Sequence, residues 1–342
     1  MKRSIGMRLA LMVAVAVALV FNGAYALQKS EPKTRSFEFT YRAQVAEVPP
    51  GTKELRIWLP YPTTDAHQEV SDITVISPVQ AQVYREPRFD DSILYLSIPN
   101  PDRGPITVET KFKVVRSEYV KRDYARFRTV AEQPLDPGLE TYLQPDRLVP
   151  IDGRIKSLAN EVTKGKKTTL DKARAIYDYV LANMKYDKSG TGWGNGDIFY
   201  ACDAKHGNCT DFHALFIGLC RASGIPARFS IGFPLPEKRG EGEIAGYHCW
   251  AAFYMKGYGW VPVDASEASK HPEKREYFFG AHDENRVQFS VGRDLVLRPR
   301  QSGQPLNYFI YPYVEADGKP IKQVKDSFYF KDLAGEDTPK AF

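Results

Sequence analysis

The sequence predicts an α+β protein, and three observations carry that prediction. Between Arg35 and Ser117, short runs alternate apolar and polar residues and are separated by proline and glycine breakers, which is the pattern of a β-sandwich. Between Ile155 and Cys220 the apolar residues recur instead at helical spacing. From Arg228 onward, strand-like composition returns. A length of 342 residues fits about two domains in addition to any leader.

The first 26 residues read as a leader. Lys2, Arg3 and Arg8 form a basic start, Leu9 to Phe21 is an uncharged apolar run, and Ala24-Tyr25-Ala26 has the small-x-small pattern of a cleavage site. The apolar run is shorter than the roughly 20 residues that span a bilayer. The expected product is a mature chain from Leu27, secreted or periplasmic, without stable membrane insertion. The formal net charge is +5, and losing three basic residues with the leader leaves a near-neutral protein. Such a chain has no global reason to seek nucleic acid or anionic lipid.

The β-sandwich is expected over 27–125. Its strands are Phe37-Glu38-Phe39-Thr40-Tyr41, Leu55 to Leu59, Ile93 to Ile98 and Ile106 to Phe112, with breakers such as Pro49-Pro50-Gly51 and Pro99-Asn100-Pro101 between them. His67 follows a turn-like stretch and reads as a solvated loop histidine. The second domain is expected over 126–342. It opens with a proline-rich connector from Pro134 to Pro150. Ile155, Leu158, Ala159 and Val162 predict one helix. Leu170, Ala173, Ile176, Tyr177, Val180, Leu181 and Met184 predict a longer one, with Thr168 and Asp171 as its capping pair. Phe212, Leu215, Phe216 and Leu219 mark a third, closed by Gly224 and Pro226. Strand signals follow at 228–232, 247–255 and 260–263. The runs 287–291, 306–314 and 328–330 either complete that sheet or form an added β layer.

The chemistry sits at the start of the third helix. Cys209 is placed where unpaired N–H groups and the helix dipole stabilise a thiolate. His248 lies in the strand Gly246-Tyr247-His248-Cys249-Trp250, and Asp264 ends Gly259-Trp260-Val261-Pro262-Val263-Asp264. Cysteine, histidine and aspartate make a nucleophile, a base and an orienter. Alternation puts His248 and Trp250 on one face and aims Cys249 away. Asp211, in the first helical turn, is expected to complement the helix dipole. His213 is expected on the helix surface or at the site wall. The glycine-rich stretch from Ser189 to Gly196 lacks the context of a phosphate loop and reads as a mobile loop.

These segments, with Gly224-Ile225-Pro226-Ala227-Arg228 and the His-x-Trp of His248 and Trp250, resemble the transglutaminase-like superfamily over about Tyr186 to Asp264. The resemblance implies a papain-like core with Cys209, His248 and Asp264 as catalytic residues. It implies thiol-dependent acyl chemistry on protein or peptide amides. Hydrolysis is favoured over transamidation because Trp193 lies on the mobile-looking glycine-rich loop, and a mobile wall excludes water poorly. Trp193, Tyr186 and Trp250 are weaker candidates for substrate binding or an oxyanion donor, beside the Cys209 backbone N–H. Many members have an acidic residue where this chain has Ala252, a departure that bears on substrate contacts or local support rather than on the triad.

Two further readings are weighed against this. Cys202, His206, Cys209 and His213 lie close in sequence, but only Cys209 and His213 have the spacing of two ligands on one helix face, so no metal is expected. No cofactor is implied, and nothing matches a calcium-binding EF-hand loop. If Cys209 is a nucleophile, at most one disulfide can form among Cys202, Cys220 and Cys249, and Cys220 reads as a buried core residue. The competing class is a non-enzymatic exported binding module that retains the fold.

Overall fold

The computed structural model describes residues 31–121, 123 and 137–334. The leader at 1–26, the predicted boundary at 125–126, the start of the connector and the tail from Gly335 lie outside the described residues. Wherever one face of an alternating run can be buried, the run is a strand: β1 (Thr34–Val45), β2 (Glu54–Pro60), β3 (Gln68–Ile76), β4 (Gln82–Arg85), β5 (Ser92–Pro99) and β6 (Ile106–Ser117). β1 and β6 pair antiparallel from Thr34 opposite Ser117 to Val45 opposite Ile106, and their inward Phe37, Phe39, Phe112 and Val114 are fully buried. β3 and β4 carry no strong sequence signal because they are half-exposed, and β3 is interrupted near Asp72, where φ is 52°.

The helices follow: α1 (Gly153–Val162), α2 (Thr169–Asn183), α3 (Ile198–Ala204), α4 (Cys209–Ala222) and α5 (Ala265–Lys270). Thr168 caps α2 as expected, its hydroxyl oxygen accepting from the Asp171 N–H at 3.1 Å. Short α3 and α5 have too few turns to show a period. α4 is buried along its whole length, between α1, α2, α3 and the strands that follow. Those strands are β7 (Ala227–Pro234), β8 (His248–Met255), β9 (Gly259–Val263) and β10 (Arg286–Val291), ordered β9-β8-β7-β10 in one antiparallel sheet.

The C-terminal strands divide. Residues 287–291 lie in β10 and complete the sheet beside α4, whereas β11 (Tyr313–Ala316) pairs with β2 and β12 (Val324–Asp332) pairs with β1. Two five-stranded sheets result, one holding β12-β1-β6-β3 and the other β11-β2-β5-β4, each edged by a short strand. The described residues from Lys33 onward form one compact unit. Fully buried Arg35 fastens its closure: its guanidinium donates to Asp332 at 2.8 and 2.9 Å, to the Asn285 side chain at 2.8 Å and to the Pro236 carbonyl at 2.7 Å. Gln68 and Gln288 exchange hydrogen bonds of 3.0 and 2.8 Å, joining β3 to β10.

Candidate active site

The start of α4 is fixed by its own sequence. Asn208 is the N-cap: its side-chain oxygen accepts from the Thr210 N–H at 2.9 Å, while Asp211 Oδ2 accepts from the Asn208 N–H at 3.0 Å. Asp211 and Phe212 donate to the Asn208 carbonyl. Of the first-turn N–H groups, only that of Cys209 has no acceptor among the described residues. It therefore stands free beside the thiol.

Asp211 does more than complement the dipole. Fully buried, it also accepts from the Gly194 N–H at 2.7 Å and the Gly196 N–H at 3.0 Å. Arg293 donates to the Gly196 carbonyl at 2.8 Å and the Asn195 carbonyl at 2.9 Å, and Asn307 donates to the latter at 2.8 Å. The glycine-rich segment, expected to be mobile, is thus tied to α4 and to the residues after β10. Gly196 is required there, because at φ 62° an added Cβ would lie 2.7 Å from Thr210 Cγ2.

His248 opens β8, and Asp264 both follows β9 and caps α5 by accepting from the Glu267 N–H at 3.0 Å. The His248 ring donates from Nε2 to Asp264 Oδ2 at 2.8 Å. Its remaining nitrogen, Nδ1, is left for the Cys209 sulfur, to which the ring is hydrogen bonded. The structure thus brings Cys209, His248 and Asp264 into one line. Cys209 is 2% exposed and Asp264 0%, so charge at the site is set by neighbours rather than by solvent.

Burial opposes a charged imidazole, but the Asp264 carboxylate and the Cys209 sulfur outweigh it and raise His248 to about 10. Burial likewise opposes a thiolate, yet hydrogen bonds from Cys249 and His248 hold Cys209 well below the ordinary thiol range. Asp264 is held well below the carboxylate range against its own burial, by His248 and then Arg286. The arrangement is a buried thiolate–imidazolium pair oriented by a carboxylate.

Four neighbours escaped the sequence reading or were misplaced by it. Cys249 faces α4 as alternation requires, but that face is the site itself. Its thiol bonds the Cys209 sulfur and lies 3.6 Å from His213 Nδ1. Burial, then the Cys209 contact, push the Cys249 thiol well up, so it stays protonated and donates. His213 is fully buried rather than at the surface, because α4 is covered on every side. Its Nε2 accepts from the Ala265 N–H at 3.2 Å, which positions the backbone next to Asp264, and burial keeps the ring neutral. Arg286 donates to Asp264 Oδ2 at 3.1 Å and to Asp283 at 3.1 and 3.3 Å. Tyr247 bonds Asn208 and Thr210 at 3.1 and 2.8 Å. Its only sequence signal is adjacency to His248; for Arg286 the signal is a cation opening an apolar run.

Of the weaker candidates, Trp250 is buried under the Arg286 guanidinium, 4.8 Å from its ring, and beside the His248 ring at 5.9 Å. It supports His248 and does not line the cleft beside that residue. Tyr186 packs on Phe212, with the Lys270 ammonium 4.8 Å from its ring, and burial, then the nearby Cys209 charge, push its phenol up. Trp193 is half-buried, with Lys188 5.9 Å from its ring, and takes no part in the hydrogen bonds of the triad. All four cysteines are free. A cleft of about 480 Å³ opens beside His248, walled by Glu237, Glu267, Lys270, Lys274 and Asp283 among others.

Comparison with known proteins fits this geometry. Residues 156–265 match the model of the transglutaminase-like superfamily. An uncharacterized Haemophilus influenzae protein is 30% identical over 325 residues, 83% of this chain and 87% of its own length. The uncharacterized YebA of Bacillus subtilis is 27% identical over 148 residues, 39% of this chain and 20% of YebA. Among solved structures, a candidate cysteine protease from Cytophaga hutchinsonii superposes with a TM-score of 0.60 at 17% identity, covering 91% of this chain and 96% of that one. The last likeness is one of fold.

Proposed function

This chain belongs to the transglutaminase-like superfamily, and from that premise we propose that it is an exported cysteine enzyme that hydrolyses protein or peptide amides. The observation that carries the reading is the buried line from the Cys209 sulfur through the His248 ring to Asp264. In the forward step the thiolate attacks the carbonyl carbon, and the free Cys209 N–H meets the oxyanion. His248 then gives its Nδ1 proton to the leaving nitrogen as the C–N bond breaks, and a thioester remains on Cys209. Water, deprotonated by His248, attacks the thioester; the C–S bond breaks, releasing a carboxylic acid and restoring the ion pair. Asp264 fixes the tautomer throughout by accepting from Nε2.

Hydrolysis is favoured because the cleft beside His248 is walled by ionised, water-binding side chains, and Trp250 is committed to Arg286 and His248. An amine captures a thioester efficiently only where water at roughly 55 M is shut out. Export is supported by the leader pattern of residues 1–26, and among the described residues no helix is long and apolar enough to cross a membrane. The test is incubation of the mature protein with candidate proteins and a labelled primary amine. Cys209-dependent release of peptide or ammonia is expected. Stable incorporation of the amine makes the protein a transglutaminase, and no turnover together with an unreactive Cys209 leaves a binding module.

A further inference from the structure

A second cavity, of about 280 Å³, lies on the face of the β9-β8-β7-β10 sheet turned away from α4. Alternation sets this face: Cys249 looks toward α4, so Trp250 and Ala252 look the other way. The opposing wall comes from the β2–β3 loop, from β6 and from the residues just after it, through His67, Arg116 and Tyr119. His67 is therefore no solvated loop residue. Its ring stacks on Tyr119 at 3.7 Å.

The cavity holds two guanidiniums with N–H groups that lack acceptors. Arg116 is 2% exposed, and its Nε and Nη1 have no hydrogen-bond acceptor. The nearest carboxylate oxygen, Asp65 Oδ2, stands 3.9 Å from Nη1, beyond hydrogen-bond range. Arg228 is also without an acceptor at Nε; its guanidinium lies 4.5 Å from the Trp260 ring. Directly across the β7–β8 ladder stands Ala252, a methyl group where a carboxylate would have paired the guanidinium. Buried polar groups left unpaired are costly and rare in folded proteins, and when they converge on a cavity they mark what it is built to hold. Two guanidiniums against the single carboxylate of Asp65 leave one positive charge, while Trp250, Trp260 and Tyr119 give the wall an aromatic part beside the polar Ser230, His282 and Gln288. Arg286, behind Trp250, is already satisfied by Asp264 and Asp283.

We propose that this cavity is a binding site for an organic monocarboxylate, whose carboxylate accepts from Arg116 and Arg228 while its apolar body lies against Trp250, Trp260 and Tyr119. One negative charge balances the site, a planar carboxylate matches the guanidinium fork, and a phosphate dianion would leave two guanidiniums facing an excess of negative charge once Asp65 is counted. The site is separate from the Cys209 line and shares only Trp250 with it.

Benzoate, acetate and inorganic phosphate are titrated against the mature protein, read by fluorescence of Trp250 and Trp260 and by melting temperature. Saturable benzoate binding with a rise in melting temperature is expected. Arg228→Gln should weaken it at least tenfold while alkylation of Cys209 proceeds as in the wild type. Ala252→Asp, which places a carboxylate opposite Arg228, should abolish it by supplying the anion internally, and this keeps the test decisive if the first variant does not fold. Absence of a saturable benzoate response, unchanged affinity in Ala252→Asp, or tighter binding of phosphate than of benzoate overturns the proposal.

Discussion

Replacing Asp264 by asparagine isolates the electrostatics of the site from its shape. Asn keeps one oxygen for the Glu267 N–H and the Ser266 hydroxyl, both now bonded to Asp264 Oδ1 at 3.0 Å. Arg286 keeps Asp283. Toward His248, however, the amide presents a donor in place of the carboxylate at 2.8 Å. The neutral ring must then accept at Nε2 and carry its proton on Nδ1, where it can no longer take the proton of Cys209. His248 is raised from 6.5 to about 10 against its burial, with Asp264 the larger of the supporting charges. Without that charge burial prevails, and the ring is expected at or below its ordinary 6.5. Cys209 then returns toward an ordinary thiol of about 8.5, leaving roughly one molecule in 300 as thiolate at pH 6. Alkylation by iodoacetamide, followed from pH 5 to 10, should be nearly flat for the wild type from about pH 6 to 9. In Asp264→Asn the rate at pH 6 should fall by about two orders of magnitude and recover as pH rises through the thiol range. A variant that folds and keeps the wild-type profile within a factor of three would refute the ion-pair assignment.

Asp211→Asn removes a charge-assisted acceptor for three buried N–H groups; we expect a loss of about 3 kcal/mol in urea unfolding, with new proteolytic cutting between Ser189 and Gly196. His67 is lowered from 6.5 to about 4, chiefly by burial and then by Arg116. Its contribution is therefore full above about pH 6.5 and lost as pH falls through 4, up to about 3 kcal/mol. His67→Phe, which can still stack on Tyr119, should lose correspondingly less stability than the wild type between pH 7 and 4 in the same assay. Finally, N-terminal sequencing of the exported protein should begin at or near Leu27; an intact Met1 would point to an anchored form.

The candidate site was legible where its signals are local. A capped helix start announces itself in Asn208, Cys209 and Asp211, and the strands around His248 and Asp264 show in their own composition. The helical periods of α1 and α2 were equally plain. The surroundings of these residues do not show in local patterns. His213 reads as a surface residue because a helical period cannot say how many neighbours will cover the helix, and α4 is covered all round. Cys249 was aimed correctly by alternation, but which face would be the site depended on where α4 packs. The glycines from 190 to 196 suggested motion, yet Asp211 and Arg293, the latter nearly 100 residues away, tie them down.

The sequence by itself determined the α+β order of elements and the three residue types at three recognisable local settings, because capping, alternation and helical period act over a few neighbouring residues. Tertiary structure alone decided that Arg286 would hold Asp264, that Arg35 would close on Asp332 297 positions later, and that β11 and β12 would complete sheets begun by β2 and β1. It also decided that Arg116 and Arg228 would line one cavity with Asp65 as its single carboxylate. Such pairings join residues far apart in the chain, and their energies depend on burial and dielectric surroundings that exist only once the layers have packed.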